Sequence, residues 1–477
     1  MSGRSLAGYA HEEAQAHFQR SLAAKAGQPV AEQTAELLYG LGRAELALWL
    51  QDEAAAHLGS AFDYYARVGN AQRCAAIASP AESSGFHFES LMAPIVERAL
   101  QLVPAESVAA GRLSGQLSLY VGQVSGDYEA AKALFQRAVA IAQATGERRL
   151  ELWATQFWIH VAVGWLNNRD AEEAVDRALD LLQSVDSARD EAGVRSRAVL
   201  RCIGHGEVRE AAAQAEAALA AAERLRDRGV LCFVGCQVHM LTQYIGNWVE
   251  ARALSERMLA MNPDYPEALA RTLLLECQVG NLDQAESYWQ RLVRNAERMD
   301  YLWVVFGGWT WAAEAGRITG NRQWLNSVRE FAHRRLVSTH LLPLRLSQMR
   351  IALGLVAAEN ADRAEAAEQY AHLDQLIGSG FDSLFYRYLG IIAHAAGLED
   401  KAVAHFEDAL AFTRKAGYRA ELAWTCCDYA DLLRQRNGLG DGERAAALLE
   451  EGLVIARDLG MRPLMERILA RRQFLKA

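Results

Sequence analysis

The chain has 477 residues, of which 51% are hydrophobic and 23% charged, with only 8 prolines; this suits a soluble globular or repeat protein and excludes a disordered or collagen-like one. The net charge of −9 excludes an overall basic face of the kind that grips nucleic acid. No apolar leader follows Met1 and no run approaches the ~18 apolar residues of a membrane span, so no membrane partner is expected and the cytoplasm is the expected location.

The first predicted element, His11 to Ala24, has the character of the second helix of a pair, with Ala14, Phe18 and Ser21 in its packing slots. Only ten residues precede it, too few for a partner helix, so the chain is expected to be part of something longer. Leu38-x2-Leu41-Gly42 and Ala54-x3-Leu58 form the next unit. Ser79 to Ser90, with Pro80, Ser83, Ser84 and Gly85, reads as a loop where a first helix is shortened. A further unit spans Leu91 to Pro104, with Ala99 in the small-residue slot. Gly126-Asp127-Tyr128 then leads to Ala131 and Phe135, and Ala174 and Ala211 continue the series. Gly246-Asn247-Trp248 precedes Ala251 and Pro263, and Gly280-Asn281-Leu282 precedes Ala285 and Trp289. Leu325 and Ala366 follow, then Gly397-Leu398-Glu399 with Ala402 and Phe406. Arg436 to Gly442 reads as a long turn inside the last full unit, before Ala445.

A small residue and a bulky one four places on share a face one helical turn apart. The small one admits a neighbouring helix, and the large one fills the space beside it. Gly42, Gly354 and Gly390 stand twelve residues before Ala54, Ala366 and Ala402, which predicts a matching close-approach point on each first helix. The small residues recur at intervals of 34 to 43, apart from one gap of 77 that must hold two units. The spacing predicts an all-α, right-handed solenoid of about twelve helix pairs, the first incomplete. It is read as one continuous superhelix over 1–477, irregular near 70–110 and closed by capping helices over 443–477.

A repeat near 34 residues reading W-x2-L-G-x2-Y, A-x3-F and then P is the tetratricopeptide signature. The chain resembles that family at Tyr386-x2-Leu389-Gly390 with Ala402-x3-Phe406, at Leu38-x2-Leu41-Gly42 with Ala54-x3-Leu58, and at Ala251 with Pro263. Its closing stretch runs from Gly440-Asp441-Gly442-Glu443-Arg444-Ala445 to Gly460-Met461-Arg462-Pro463-Leu464-Met465-Glu466-Arg467. That stretch looks like the end of the tetratricopeptide sensor region of large bacterial signal-transduction ATPase regulators, the LuxR-type and maltotriose-responsive activators among them. The resemblance implies an effector- or partner-binding sensor that controls an attached ATPase or transcription-regulator module, with homo-oligomerisation through a full-length regulator. The chain departs from the family in lacking both a phosphate loop and a DNA-binding helix pair, so only the sensor and scaffold role carries over. A freestanding protein–protein interaction scaffold is the alternative reading, and an enzyme without a recognisable motif comes third.

Catalytic and cofactor signatures are missing. The dipeptide Gly-Lys of a phosphate loop does not occur, and H-E-x-x-H begins at His11-Glu12 but has Gln15 where the second ligand belongs. No enzyme activity, cofactor or metal is therefore expected. Seven scattered cysteines argue for free thiols, and Cys232, Cys236, Cys426 and Cys427 read as small buried hydrophobes.

In tetratricopeptide arrays the first helices line the concave face. Transferring the repeat phase places Tyr39, Arg43, Gln156, His160 and Asn167 there, followed by Arg197, Gln237, Gln243, Tyr244 and Arg271. Trp311, Glu314, Arg317, Arg387, Tyr388, His394 and Tyr429 complete the surface. Arginine offers a planar fork to carboxylate or phosphate, and Tyr or Trp a flat apolar platform. The set suits a peptide, a protein segment or a small-molecule effector, with no direct nucleic-acid contact. Arg271, Arg317 and Arg387 are expected to be exposed and to matter more for binding than for stability. Trp303, Trp309, Trp311 and Trp324 read as core rather than as a ligand cage.

Overall fold

The computed structural model describes residues 6–25, 27, 31–80, 86–225, 227–298, 305–338, 341–376 and 385–475. Its helices begin with α1 (Leu6–Ala23), α2 (Glu32–Ala47), α3 (Gln51–Arg67), α4 (Ala71–Ala78) and α5 (Phe86–Leu102). Next come α6 (Val108–Tyr120), α7 (Tyr128–Thr145), α8 (Arg148–Gly164), α9 (Asn168–Leu182) and α10 (Ala188–His205). The middle holds α11 (Val208–Leu225), α12 (Arg228–Ile245), α13 (Trp248–Met261), α14 (Pro266–Val279) and α15 (Leu282–Arg298). α16 (Val305–Thr319), α17 (Arg322–Ser338), α18 (Pro343–Glu359), α19 (Arg363–Asp374) and α20 (Tyr386–Ala395) follow. The last are α21 (Glu399–Ala416), α22 (Arg419–Arg436), α23 (Asp441–Leu459) and α24 (Arg462–Leu475). There is no strand among the described residues.

The repeating turn has a simple cause. Six first helices end on a glycine in the left-handed region, at Gly126, Gly206, Gly246, Gly280, Gly320 and Gly397, which lets the last carbonyls be capped before the chain reverses. An Asx residue often comes next and starts the second helix: Asp127, Asn167, Asn247 and Asp362 each accept a hydrogen bond from a backbone N–H three residues on. The same turn occurs without glycine at Trp49, Leu166 and Ala361, with φ of 65°, 56° and 53°. Those three break the sequence motif but not the fold.

Counted from α2 with α3 to α22 with α23, the described helices make eleven pairs, with α1 and α24 outside them. First helices pack both on their own partner and on the next first helix: α14 on α15 and α16, α16 on α17 and α18, α18 on α19 and α20. α1 packs on α2. This three-way packing is that of an all-α, tetratricopeptide-like solenoid. Ala54, Ala131, Ala285, Ala366 and Ala402 are all fully buried in it. Gly42 and Gly390 meet the bulky residue of their own second helix, Leu58 and Phe406, as predicted. Gly354 instead meets Ile392 of the next first helix. The shortened first helix is α4, but α5 already begins at Phe86, so the predicted loop to Ser90 is too long; residues 81–85 lie outside the described set.

The chain divides into two compact units, Met1–Arg197 with Glu216–Val234, and Ala198–Ala215 with Gly235–Ala477. The core of the first runs through Ala54, Leu58, Phe62, Tyr65, Ile77, Met92 and Leu113. In the second, Trp309 stacks on Phe331 with ring centroids 4.3 Å apart, and Trp289 stacks on Trp324 at 5.1 Å. Trp309 and Trp324 are thus core residues, Trp311 is half-buried, and Trp303 lies outside the described residues.

Candidate functional site

Within the second unit, the C-terminal helices return onto the first helices of the middle repeats. α24 packs on α14 and α16 as well as on α22 and α23. The Tyr418 hydroxyl donates to the Ile203 carbonyl at 2.7 Å, and Trp248 Nε1 donates to that of Leu459 at 2.7 Å. Arg467 Nη2 donates to the Arg317 carbonyl at 2.8 Å, and Arg462 to those of Val279 and Gly280 at 3.1 Å. The expectation that Arg271, Arg317 and Arg387 are exposed therefore fails: they are 3%, 5% and 2% exposed. Their side chains are instead held among neighbouring helices, where Arg317 and Arg387 both reach Asp428 of α22.

Arg317 and Arg387 sit in a buried ionic network. Arg387 pairs with Glu314 Oε1 at 2.9 Å, with Asp428 Oδ2 at 2.9 Å and with Glu421. Arg317 pairs with Glu314 Oε2 at 2.9 Å, Glu359 Oε1 at 3.0 Å and Asp428 Oδ1 at 3.2 Å. Burial pushes the Glu314 carboxyl up, but the Arg387 and Arg317 charges more than reverse it and hold it below its ordinary value. Asp428 is likewise held down, by Arg317 and Arg387 against burial. Glu421 goes the other way: burial raises it, and Arg387 does not fully compensate. Glu421 is thus the member of the network most readily neutralised.

Beside the network lies a cavity of about 10 Å³ lined by Tyr244, Arg387, Phe412, Thr413, Tyr418 and Glu421, among others. Tyr244 and Tyr418 stack with centroids 5.2 Å apart. The space is about that of one water molecule.

Other positions named from the sequence have their own partners. In the first unit, Gln156 Nε2 donates to Asp190 Oδ1 at 2.9 Å, and the Gln156 carbonyl meets His160 Nδ1 at 2.8 Å. Arg197 contacts the His160 ring and covers Phe233 at 4.7 Å; burial and the Arg197 charge push the His160 pKa well below its ordinary value. Asn167 caps α9 and donates to the Tyr128 hydroxyl at 2.7 Å, a helix-starting role. Tyr39 lies under Arg43 and Arg73. In the second unit, Gln237 is buried, and His394 Nε2 meets Gln435 Oε1 at 3.0 Å. Tyr388 lies under Arg387 at 4.6 Å. Tyr429 is fully buried against Phe406 and bonds Glu407, which makes it a packing residue.

Sequence reasoning missed the acids Glu421 and Asp428. Both lie on α22, seven residues apart and so on one face, with Cys426 and Cys427 between them. It also missed His239, four residues before the named Gln243 on α12. Among the described residues no group of three or more His, Cys, Asp or Glu side chains is placed to hold a metal ion, and the seven cysteines are buried free thiols. No described helix is long and apolar enough to cross a membrane.

No profile of a known protein family matches the chain, and no curated protein matches it. It is similar to several solved structures. A monomeric mutant of IFIT1 with Gppp-AAAA is 12% identical with a TM-score of 0.46, covering 84% of this chain and 86% of that one. The APC/C hetero-tetramer Cut9-Hcn1 is 14% identical with a TM-score of 0.33, covering 92% and 97%. A signal transduction ATPase with numerous domains and a tetratricopeptide repeat sensor, from Pyrococcus horikoshii, is 12% identical with a TM-score of 0.38, covering 92% and 72%. These likenesses are long but loose, and the helix pairing within the chain is what defines its fold.

Proposed function

We propose that the chain is an effector- or partner-binding sensor module of a bacterial regulatory protein, with 1–477 serving as one repeat array that controls an attached ATPase or transcription-regulator module. The observation that carries this reading is the chemistry of the inward face of the second unit. Its first helices hold buried polar side chains whose hydrogen-bonding capacity is not filled, His239, Gln243 and Arg271. A fold that needed only stability would place apolar side chains there. The resemblance of the closing stretch to regulator sensor regions supports the same reading. Closure by α22 to α24 supplies a mechanism: a ligand that favours one packing of these helices over another shifts the population between them.

The test is a thermal-shift screen of peptides and small effectors on the intact chain, since a ligand that binds the native state raises its melting temperature by mass action. Binders are expected, and substitution of inward residues should weaken them while substitution of the exposed Val249 or Leu439 does not. A binder indifferent to every inward substitution would overturn the reading, as would a screen in which nothing binds.

A further inference from the structure

A solenoid has no need for its ends to meet. The second unit nevertheless brings its last helices back onto the ends of three consecutive first helices, α10, α12 and α14. At the end of α10, the Ile203 carbonyl accepts from the Tyr418 hydroxyl at 2.7 Å. Just past α12, Trp248 at the start of α13 donates from Nε1 to the Leu459 carbonyl at 2.7 Å. At the end of α14, the Val279 and Gly280 carbonyls accept from Arg462 at 3.1 Å. All of these carbonyls lie at helix ends, where the last turn has no intrahelical partner and the dipole is negative.

Two turn glycines are fitted to the same contact. A Cβ on Gly206 would lie 2.9 Å from the Ala416 Cβ, and one on Gly246 would lie 2.7 Å from both Leu459 methyls. Gly320 ends α16 with the same left-handed backbone, yet a Cβ there would meet nothing within 4 Å. Glycine at 206 and 246 thus admits the returning chain as well as the turn. What the contact buries is modest: Tyr418 and Ala416 are buried, Trp248 and Leu459 half-buried, and Arg462 exposed. Its helix-end carbonyls can turn to water when their donors leave. The cluster of Arg317, Arg387 and Asp428 is different, since all three are buried and separation would strand a charge.

We propose that this seam is a clasp: the ends of α10, α12 and α14 part from α21, α23 and α24, while the cluster around Asp428 holds and serves as the pivot. The division follows from cost, because the contact that buries least opens first. Just inside the seam lies the cavity with room for one water, and Tyr244 of α12 stacks on Tyr418 along its wall. Parting the seam separates those two rings and turns the cavity into an entrance. This last step rests on the reading of the second unit as a sensor, and names the contact that moves. The cavity as it stands admits only a water, so an effector entering there meets the opened form.

The experiment measures the seam of the intact chain with no effector present. Spin labels on Val249→Cys and Val454→Cys, at exposed positions of α13 and α23, report the distance across it, and the seven native cysteines are buried. A short distance should dominate in the parent, with a longer one as the minority. Gly206→Ala should raise the ratio of long to short about tenfold or more over Gly320→Ala, which makes the same backbone demand in open space. Trp248→Phe loses only the bond to Leu459 and should raise the ratio less, about threefold. A single distance in the parent and every variant, or equal shifts in Gly206→Ala and Gly320→Ala, would overturn the clasp. Should Gly206→Ala fail to fold, Arg462→Gln replaces it, and an unchanged ratio there and in Trp248→Phe would overturn the proposal equally. One distance throughout leaves the sensor reading to the ligand screen, whereas an empty screen sinks that reading and leaves the clasp standing.

Discussion

In the second unit, Arg317 and Arg387 meet four carboxylates, while Arg271 meets Glu267. All three arginines sit on first helices and are equally buried. What separates them is how many carboxylates answer the charge. The first cluster ties α22 to α16 and α20 and acts as a structural joint. The second leaves donors idle, which a structural joint does not need to do. Burial alone would have ranked the two together.

The largest effect expected from breaking this contrast is at the joint. Arg387→Met should leave Glu314 without its main counter-charge and Asp428 with only Arg317 of the pair, and cost about 3–5 kcal/mol of stability. Arg271→Met should cost less than about 1 kcal/mol, because its partner Glu267 is partly exposed. Chemical denaturation of the two variants, compared at matched m-values, would measure the difference. Equal costs would erase the distinction between the clusters.

A finer comparison lies inside the joint. Asp428→Asn should cost at least about 2 kcal/mol, since it removes a charge that both arginines use. Glu421→Gln should cost less than about 1 kcal/mol, because it keeps an acceptor for Arg387 and removes the one carboxyl that burial already disfavours. The pH dependence follows the same split. Glu314 and Asp428 are held below their unfolded values, so their contribution is present above about pH 4 and lost as the pH falls through the depressed values. Glu421 is raised, so its contribution is fully present below the unfolded glutamate value and is lost as the pH rises past it. Denaturation midpoints followed from pH 3 to pH 7, on the order of these carboxyl values, should therefore show a steeper acid loss in the parent protein than in Asp428→Asn.

The smallest effect serves as a control on both clusters. Ala361 is exposed and holds a left-handed conformation, so Ala361→Gly should gain about 1 kcal/mol without altering either cluster. A loss instead would show that the turn residue has packing that its exposure hides.

Much of the fold was legible because it is local. The turn glycines, the Asx residue after them and the buried alanines each follow from one helix meeting its neighbour, and the sequence repeats that chemistry unit by unit. Leu166-Asn167 and Ala361-Asp362 escaped notice because the turn was recognised by its glycine, when the capping Asx was the more constant half. The site was legible only in part. Repeat phase singled out Gln243, Arg271, Arg317 and Arg387, but their burial depends on packing summed over many repeats, which no single unit encodes. Glu421 and Asp428 carried no signal of their own, because their countercharges come from helices 34 and 111 residues earlier.

Arg462 and Arg467 hold α24 in place by donating to the main-chain carbonyls of Val279, Gly280 and Arg317 rather than only to side chains. A carbonyl is the same at every residue. These bonds therefore make no demand on the side chains at the three positions; what constrains Gly280 is its left-handed backbone, and what constrains Arg317 is its ion pairs, while α24 can spare neither arginine. As far as this contact goes, the sequence requirement falls on α24 alone.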